Sequence, residues 1–312
     1  MRGFILAAGF GTRLKPITDF IPKALVPVCG KPLLARSLEF LATQGITTIG
    51  VNMHYLPEQI QSFRERSAIP FSVFHEKERI RGTGGGIYFA RSFLEDDELF
   101  LVINVDIIHQ FDMRSQIERF MQTGWAGGLF AVRSAGDGTI FYDEKSGLYR
   151  GVPAEKNSGA SCTAAAFIGA AVYRRKMLDL LTEKDFSIVP VWKRAMEQGH
   201  EIGVLIADKC AWLDVGTPVA LAKAHFDAID CTTALDIPAH LRLEREQKRC
   251  FHRDLPVELR QCMGSYSWVE TARVPKECHI TRSVVYENAT LKPGAAIENM
   301  ICTPHCEVSI GS

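Results

Sequence analysis

The chain is defined first by what it lacks. No run approaches the roughly eighteen consecutive apolar residues that a membrane-spanning helix needs, so no span is expected. No Cys-x-x-Cys pair occurs, and the nine cysteines are scattered and odd in number, which fits a reduced cytoplasmic chain better than a disulfide framework. There is no excess of either charge: 36 basic residues balance 36 acidic ones. A protein without a global field has no general means of holding a nucleic acid or an anionic membrane, so any affinity for phosphate must be local.

Two familiar phosphate loops are also missing. After Gly9-Phe10-Gly11 a dinucleotide-binding turn wants a third glycine where Leu14 stands, and a P-loop wants Ser or Thr after Gly30-Lys31, where Pro32 stands. What is present is an apolar run, Phe4 to Ala8, that breaks at once into Gly9-Phe10-Gly11-Thr12-Arg13. The start, Met1-Arg2 then Gly3 to Phe10, mimics a signal peptide but is short, glycine-rich and leads into Arg13 and Lys15, so it reads as a first buried strand. Glycines let a backbone pass close to a ligand and turn its N–H groups outward, while Arg13, Lys15 and Lys23 supply cationic charge. The expected ligand is a polyphosphate.

Helix-like and strand-like patterns then alternate. Pro32 to Gln44 carries Leu34, Leu38 and Leu41 on one face and is stopped by Gly45; Ile46 to Val51 reads as a strand. Pro57 to Glu65 reads as a helix, Phe71 to Phe74 as a strand, Gly85 to Phe93 as a helix, and Leu99 to Val105 as a continuously apolar central strand. Ile202 to Ile206 is a further strand and Val219 to Ala228 a helix. This order predicts an α/β fold, a doubly wound and mostly parallel sheet, with ligands beyond the carboxyl ends of the strands. Asp106 sits at such an end, where spacing alone leaves a turn or capping aspartate equally open. Asn52, also after a strand, reads as turn chemistry or as a pocket residue.

Several features in the opening stretch, Gly9-x-Gly11-Thr12-Arg13, Pro22-Lys23, Pro27-Val28 and Gly30-Lys31-Pro32, together resemble the signature of the sugar-1-phosphate nucleotidylyltransferases. Trp212-x-Asp214-x-Gly216-Thr217-Pro218 is similar to that family's second metal motif. The resemblance implies a Rossmann-like nucleotidyltransferase fold and transfer of a nucleotidyl group from a nucleoside triphosphate to a sugar-1-phosphate. It implies Arg13 and Lys23 as catalytic cations and Mg²⁺ on Asp106 and Asp214, although Val105 stands where the family commonly has glycine. Leu6, Ala7, Ala8, Gly9, Gly11, Thr12 and Arg13 would meet the nucleotide. The turn Gly82-Thr83-Gly84-Gly85-Gly86 would lie near the base, with Glu76 either accepting a hydrogen bond from it or standing solvated.

On the sugar side the resemblance points to Asn104, Glu155, Lys156 and Gly169, with Asn157 replacing the family's proline and the usual asparagine beside the glycine absent. The first choice of substrates is GTP with a mannose- or heptose-1-phosphate, for cell-envelope polysaccharide; uridylyl transfer to N-acetylmuramate-1-phosphate and thymidylyl or uridylyl transfer to glucose-1-phosphate are the alternatives. From another class, a silent regulatory subunit sensing a nucleotide sugar would have no need of the aspartate pair.

The division expected is a catalytic domain over 1–235, a linker with a solvated helix over 236–265, Arg242 to Arg249 being its core, and a small domain over 266–312. Beyond Val274 the apolar positions Val285, Leu291 and Ile297, and Ala289, Ala295 and Ile301, recur every six residues. That period predicts a short parallel β-helix, similar to the left-handed tail of some members of the family. With too few coils to stand alone or to act as an acyltransferase, it must pack on the catalytic part or on a second copy, so it is the candidate surface for homo-oligomerisation. Cys302, His305 and Cys306 lack a second ligand pair for zinc and read as buried cysteines with a surface histidine.

Overall fold

The fold is described from a computed structural model covering residues 1–134, 138–153, 162–207 and 210–311. The chain divides into two compact units, each discontinuous in sequence: Met1–Gly9 with Leu34–Trp212, and Phe10–Leu33 with Leu213–Ser312. The opening glycine turn is therefore a crossing point between units.

The first unit is built on a nine-stranded sheet. Arg2–Leu6 lies between Ile49–Met53 and Leu99–Asn104, parallel to both, and Ser72–His75 extends the parallel set. Beyond Leu99–Asn104 the long strand Cys162–Arg174 runs antiparallel and also pairs with Gly127–Arg133 and Ile140–Asp143. The central strands are apolar on both faces because helices cover both. Phe4, Phe100, Tyr173 and Trp192 are almost wholly buried in one core. Trp192 Nε1 donates to Tyr173 Oη at 2.9 Å, which satisfies two polar groups inside it.

Two boundaries differ from the sequence reading for local reasons. Helix Leu33–Thr43 ends at Gly45, whose φ is +80°, and the Ile46 N–H turns back to Leu41 O at 3.0 Å. That cap consumes the residues expected to start the next strand, which begins only at Ile49. The glycines expected to precede a helix lie inside it: the helix is Gly82–Phe89, followed by Arg91–Leu94. Close approach explains them, since a Cβ at Gly84 would stand 2.6 Å from Asp185 O and one at Gly86 2.8 Å from Asn52 Nδ2.

In the second unit, helix Pro218–Ile229 leads to a six-stranded sheet. The solvated helix expected over Arg242 to Arg249 is instead a hairpin, Leu241–Glu244 antiparallel to Arg249–His252. Arg249 and Glu244, register partners, meet across it at 2.6 Å, and Leu241, Cys250 and Phe251 are buried, so the charges pair across a ribbon rather than line a helix surface. From Arg249–His252 the sheet runs parallel through Ser267–Val269, Ser283–Val285 and Met300–Cys302. Phe251, Val269, Val285 and Cys302 stack in register, so one coil holds three of the six-residue repeats. Val285, Leu291 and Ile297 all enter its core. The six-residue period thus marks the sides of a β-helical coil.

Candidate functional site

The sequence places phosphate chemistry at the end of Arg2–Leu6, and in the first unit that end is held by Asn52. Asn52 is 1% exposed. Its Oδ1 accepts from the N–H of Ala7 at 2.6 Å and of Ala8 at 3.3 Å, and its Nδ2 donates to Glu76 Oε1 at 2.8 Å. The other carboxylate oxygen, Glu76 Oε2, accepts from the Arg81 N–H at 2.7 Å. One buried amide and one buried carboxylate therefore tie the turn after the first strand to the entry of the glycine helix.

Glu76 is itself 1% exposed, and burial, only partly opposed by its hydrogen bonds from Arg81 and Asn52, raises its pKa. The solvated reading of Glu76 does not hold. It is not solvated, and both of its oxygens are engaged inside the protein. Gly82, with φ +69°, lies against the Phe186 carbonyl, and the Thr83 Oγ1 accepts from the Ile188 N–H at 2.9 Å. Leu6, Ala7 and Ala8 lie at the strand end, Ala7 and Ala8 buried, while Gly9 is exposed with open space where a Cβ would be.

Two of the residues expected on the sugar side, Asn104 and Gly169, also come together. Asn104 ends the central strand, and Asp106 follows it half-buried. On the neighbouring strand the pairing with Gly127–Arg133 slips between Phe167 and Ala171, and Gly169 occupies that irregularity with φ +66°. A Cβ there would collide with Ile107 and lie 3.0 Å from Asn104 Nδ2, so glycine is what lets the bulge close on Asn104. Just beyond, His109 Nε2 donates to Ile168 O at 2.7 Å; burial pushes its pKa down to about 4, so the ring is neutral and fixes the bulge from below. Glu155 and Lys156 lie outside the described residues.

In the second unit, Gly11 is left-handed with φ +66°, and its carbonyl accepts from Thr18 Oγ1 at 2.8 Å. A Cβ on Gly11 would approach Lys23 Cβ to 3.0 Å, so the turn is packed directly against the lysine that the sequence singled out. The following residues Thr12–Leu14 form one turn of 3₁₀ helix that presents Thr12 and Arg13 outward. Arg13 meets the second motif: a Cβ on Gly216 would run into Arg13 Nη2, and would also stand 2.9 Å from Asp214 Oδ1. Asp214 Oδ1 accepts from the Gly216 N–H at 2.8 Å, and Thr217 caps helix Pro218–Ile229 by accepting from the Ala220 N–H at 3.2 Å. Two motifs two hundred residues apart in sequence thus share one small cluster.

Sequence reasoning left Asn52 open between turn chemistry and a pocket role, named Gly216 only as part of the second motif, and missed Thr18 and His109 altogether. Asn52 is the one with a recoverable signal, because it ends a strand beside the first in a doubly wound sheet.

Among proteins of known sequence, the chain resembles mannose-1-phosphate guanyltransferase beta-A of Xenopus laevis, 28% identical over 70% of this chain and 62% of that protein. It is 32% identical to N-acetylmuramate alpha-1-phosphate uridylyltransferase of Neisseria meningitidis over 72% of this chain and 96% of that one. The chain thus spans less than two thirds of its Xenopus relative's length. In fold it is similar to HddC from Yersinia pseudotuberculosis crystallised with GMP-PN, with a TM-score of 0.58 at 24% identity, covering 72% of this chain and 97% of that one. A putative glucose-1-phosphate thymidylyltransferase from Bacillus anthracis gives 0.62 at 19% identity over 76% and 97%. The nucleotidyl transferase family model matches residues 2–230, a span that takes in both motifs and every strand of the nine-stranded sheet. With its motifs, its sheet and its family match in agreement, the chain belongs to the nucleotidyl transferase family.

Proposed function

We propose that this protein transfers a nucleotidyl group from a nucleoside triphosphate to a sugar-1-phosphate, with GTP and a mannose- or heptose-1-phosphate as first substrates. An oxygen of the sugar phosphate attacks the α-phosphorus in line, the new P–O bond forms as the bond to the β-phosphate oxygen breaks, and pyrophosphate leaves. Such a step needs no side-chain nucleophile and no strong base; positioning and charge placement dominate it. The observation that carries this reading is the packing of Arg13 against Gly216 beside Asp214, which joins the phosphate-binding turn to the second motif.

In this reading Arg13 holds the β- and γ-phosphates and Lys23 the α-phosphate and the incoming sugar phosphate. Asp106 and Asp214 offer hard carboxylate oxygens, the donor set that magnesium prefers, and few protein ligands suffice because water and phosphate complete its shell. When bound, Mg²⁺ supplies neutralisation of the charge that develops on the phosphates. The backbone N–H groups after Arg2–Leu6 contribute fixed partial charge to the same end.

Uridylyl transfer to N-acetylmuramate-1-phosphate is the second reading, favoured by the Neisseria relative, of which this chain covers almost the whole length. Pyrophosphate release with GTP, UTP, dTTP and CTP against mannose-, heptose-, N-acetylmuramate- and glucose-1-phosphate separates the two. Turnover highest with GTP and a manno-configured sugar supports the first; turnover highest with UTP and the muramate replaces it. Absence of pyrophosphate from every combination refutes transfer itself and returns the sensor reading. Self-association through the tail belongs to the same proposal, and a strictly monomeric mass in solution counts against it.

The cytoplasmic setting rests on nine cysteines, none of which forms a disulfide among the described residues, four of them buried. Among the described residues no helix is long and apolar enough to cross a membrane.

A further inference from the structure

In the second unit the hairpin Pro27–Val28 and Lys31–Pro32 closes through Cys29 and Gly30, with φ of +49° and +69°. Such a turn leaves its own backbone groups unpaired, and here three side chains from elsewhere in the unit take them up. Tyr286 Oη donates to Pro27 O at 2.8 Å. His225 Nε2 accepts from the Cys29 N–H at 3.0 Å, its tautomer fixed because Nδ1 donates to Leu221 O at 2.8 Å. The Glu270 carboxylate accepts from the Gly30 N–H, from the Glu287 N–H, and from Trp268 Nε1 at 2.8 Å.

All three side chains are buried, His225 at 0%, Tyr286 at 4% and Glu270 at 4% exposure. Their rings interlock, His225 lying 5.2 Å from Trp268 and 6.0 Å from Tyr286. Gly30 fits beneath Pro238, whose Cγ would stand 2.6 Å from a Cβ at that position. A buried glutamate is expensive unless something holds it, so one spent on a single backbone turn points to a need for that turn to stay still.

We infer that the C-terminal tail is a socket for the signature hairpin, and that Tyr286, Glu270 and His225 are positioning residues which hold Lys23 where transfer requires it. The inference rests on the function proposed above. The mechanical link is short: Lys23–Leu25 is one 3₁₀ turn, the Val26 N–H bonds to Lys23 O at 3.2 Å, and the Leu33 N–H closes the hairpin onto Val26 O at 3.1 Å. Freeing Pro27 to Gly30 therefore loosens the backbone that carries Lys23. None of the three side chains is assigned contact with substrate; they act through the loop, and the tail becomes part of the catalytic framework.

The test uses the full chain with Tyr286→Phe and Glu270→Gln, each removing one grip, beside Tyr266→Phe, which removes a tail hydroxyl that bonds Asp230 at 2.9 Å outside the socket. Hydrogen–deuterium exchange is followed in peptides covering residues 23–33 and in those covering the Arg2–Leu6 and Leu99–Asn104 strands. The expected result for both socket variants is exchange roughly tenfold faster in residues 23–33, with unchanged sheet peptides, and a fall in kcat larger than the change in KM for the triphosphate. Tyr266→Phe leaves both readouts as in the wild type. Unchanged exchange in residues 23–33, or acceleration spread equally over the whole chain, overturns the socket. Local acceleration with wild-type kcat overturns the positioning role. If the wild-type chain turns over no substrate pair, the function proposed above fails by itself, and the exchange data alone decide whether the tail grips the hairpin.

Discussion

Asn52 Nδ2 donates to Glu76 Oε1 at 2.8 Å, and through this one bond the turn after the first strand is coupled to the mouth of the glycine helix. Both residues are buried, and each passes the coupling on through a backbone N–H: Ala7 and Ala8 on one side, Arg81 on the other. The turn proposed to cradle phosphate and a neighbouring glycine-rich helix are thereby set by the same amide.

Replacing Asn52 by alanine orphans two N–H groups and one buried carboxylate oxygen. At about 1–3 kcal/mol for each unsatisfied group, partly offset by entering water, a loss of roughly 3 kcal/mol is expected in urea unfolding. Asn52→Asp is worse at neutral pH because it sets a second carboxylate against Glu76, whose pKa burial already raises. Acidification should recover part of that variant's stability relative to wild type. A variant as stable as wild type at neutral pH would show that the coupling is not needed.

Gly216→Ala is a steric test of the Arg13 and Asp214 cluster. The added methyl runs into Arg13 Nη2 and sits 2.9 Å from Asp214 Oδ1, so the exposed guanidinium must move while the fold has little reason to. Misplacing a charged group by about an ångström costs on the order of a hundredfold in kcat/KM. Steady-state pyrophosphate release together with a melting curve separates the two effects; full activity with an unshifted melt would remove Arg13 from the step.

How far the sequence could be read shows in which residues it could single out and which it could not. Arg13, Lys23, Asp106 and Asp214 stand in short motifs, where chemistry and spacing are visible in a string, and the alternation of apolar runs was enough to set the parallel sheet. Thr18 and His109 act through partners far away in sequence or around a bend, and a string carries no sign of them. The charged run from Arg242 to Arg249 misled because Glu and Arg read as helix formers, whereas pairing across a hairpin, Arg249 to Glu244, decided its shape. The six-residue period survived translation because every coil repeats the same burial.

Lys23→Ala and Asp106→Asn separate binding charge from metal dependence. Charge-assisted contacts are worth about 1.5–3 kcal/mol each, so Lys23→Ala should lower turnover by roughly ten- to a hundredfold while leaving the melting temperature nearly in place. Asp106→Asn should shift the magnesium activation curve to higher concentration. Turnover equal to wild type at every magnesium level would strip Asp106 of its assigned role.

Glu270 makes stability depend on pH in a direction fixed by burial. Its pKa is pushed from 4.5 up to about 7, burial outweighing hydrogen bonds from Trp268, Glu287 and Gly30, with the nearby Glu287 charge adding to the rise. The folded chain thus keeps this proton to a higher pH than the unfolded chain. The protonated form contributes stability fully below about 4.5, and that contribution is lost as pH rises to about 7, at most about 3 kcal/mol in all. Tyr286 and Cys250, which also couple to this carboxylate, have pKa values that burial raises above that window. Glu270→Gln should flatten the profile of unfolding free energy between pH 5 and 7; an unchanged slope would mean that the carboxylate is not the group that titrates.

Gly169 is the most constrained of the described positions proposed for the sugar side. At φ +66° a non-glycine residue is strained, costing on the order of 1–2 kcal/mol, and here the side chain would also strike Ile107 and press to within 3.0 Å of Asn104 Nδ2. Gly169→Ala should therefore cost more stability than strain alone. Because Asn104 ends the strand that leads to Asp106, it should also raise KM for the sugar phosphate more than KM for the triphosphate. The discriminating measurement is the pair of KM values at matched magnesium. Equal increases in both would tie the bulge to the whole active region, whereas a change confined to the triphosphate would move Gly169 and Asn104 off the sugar side.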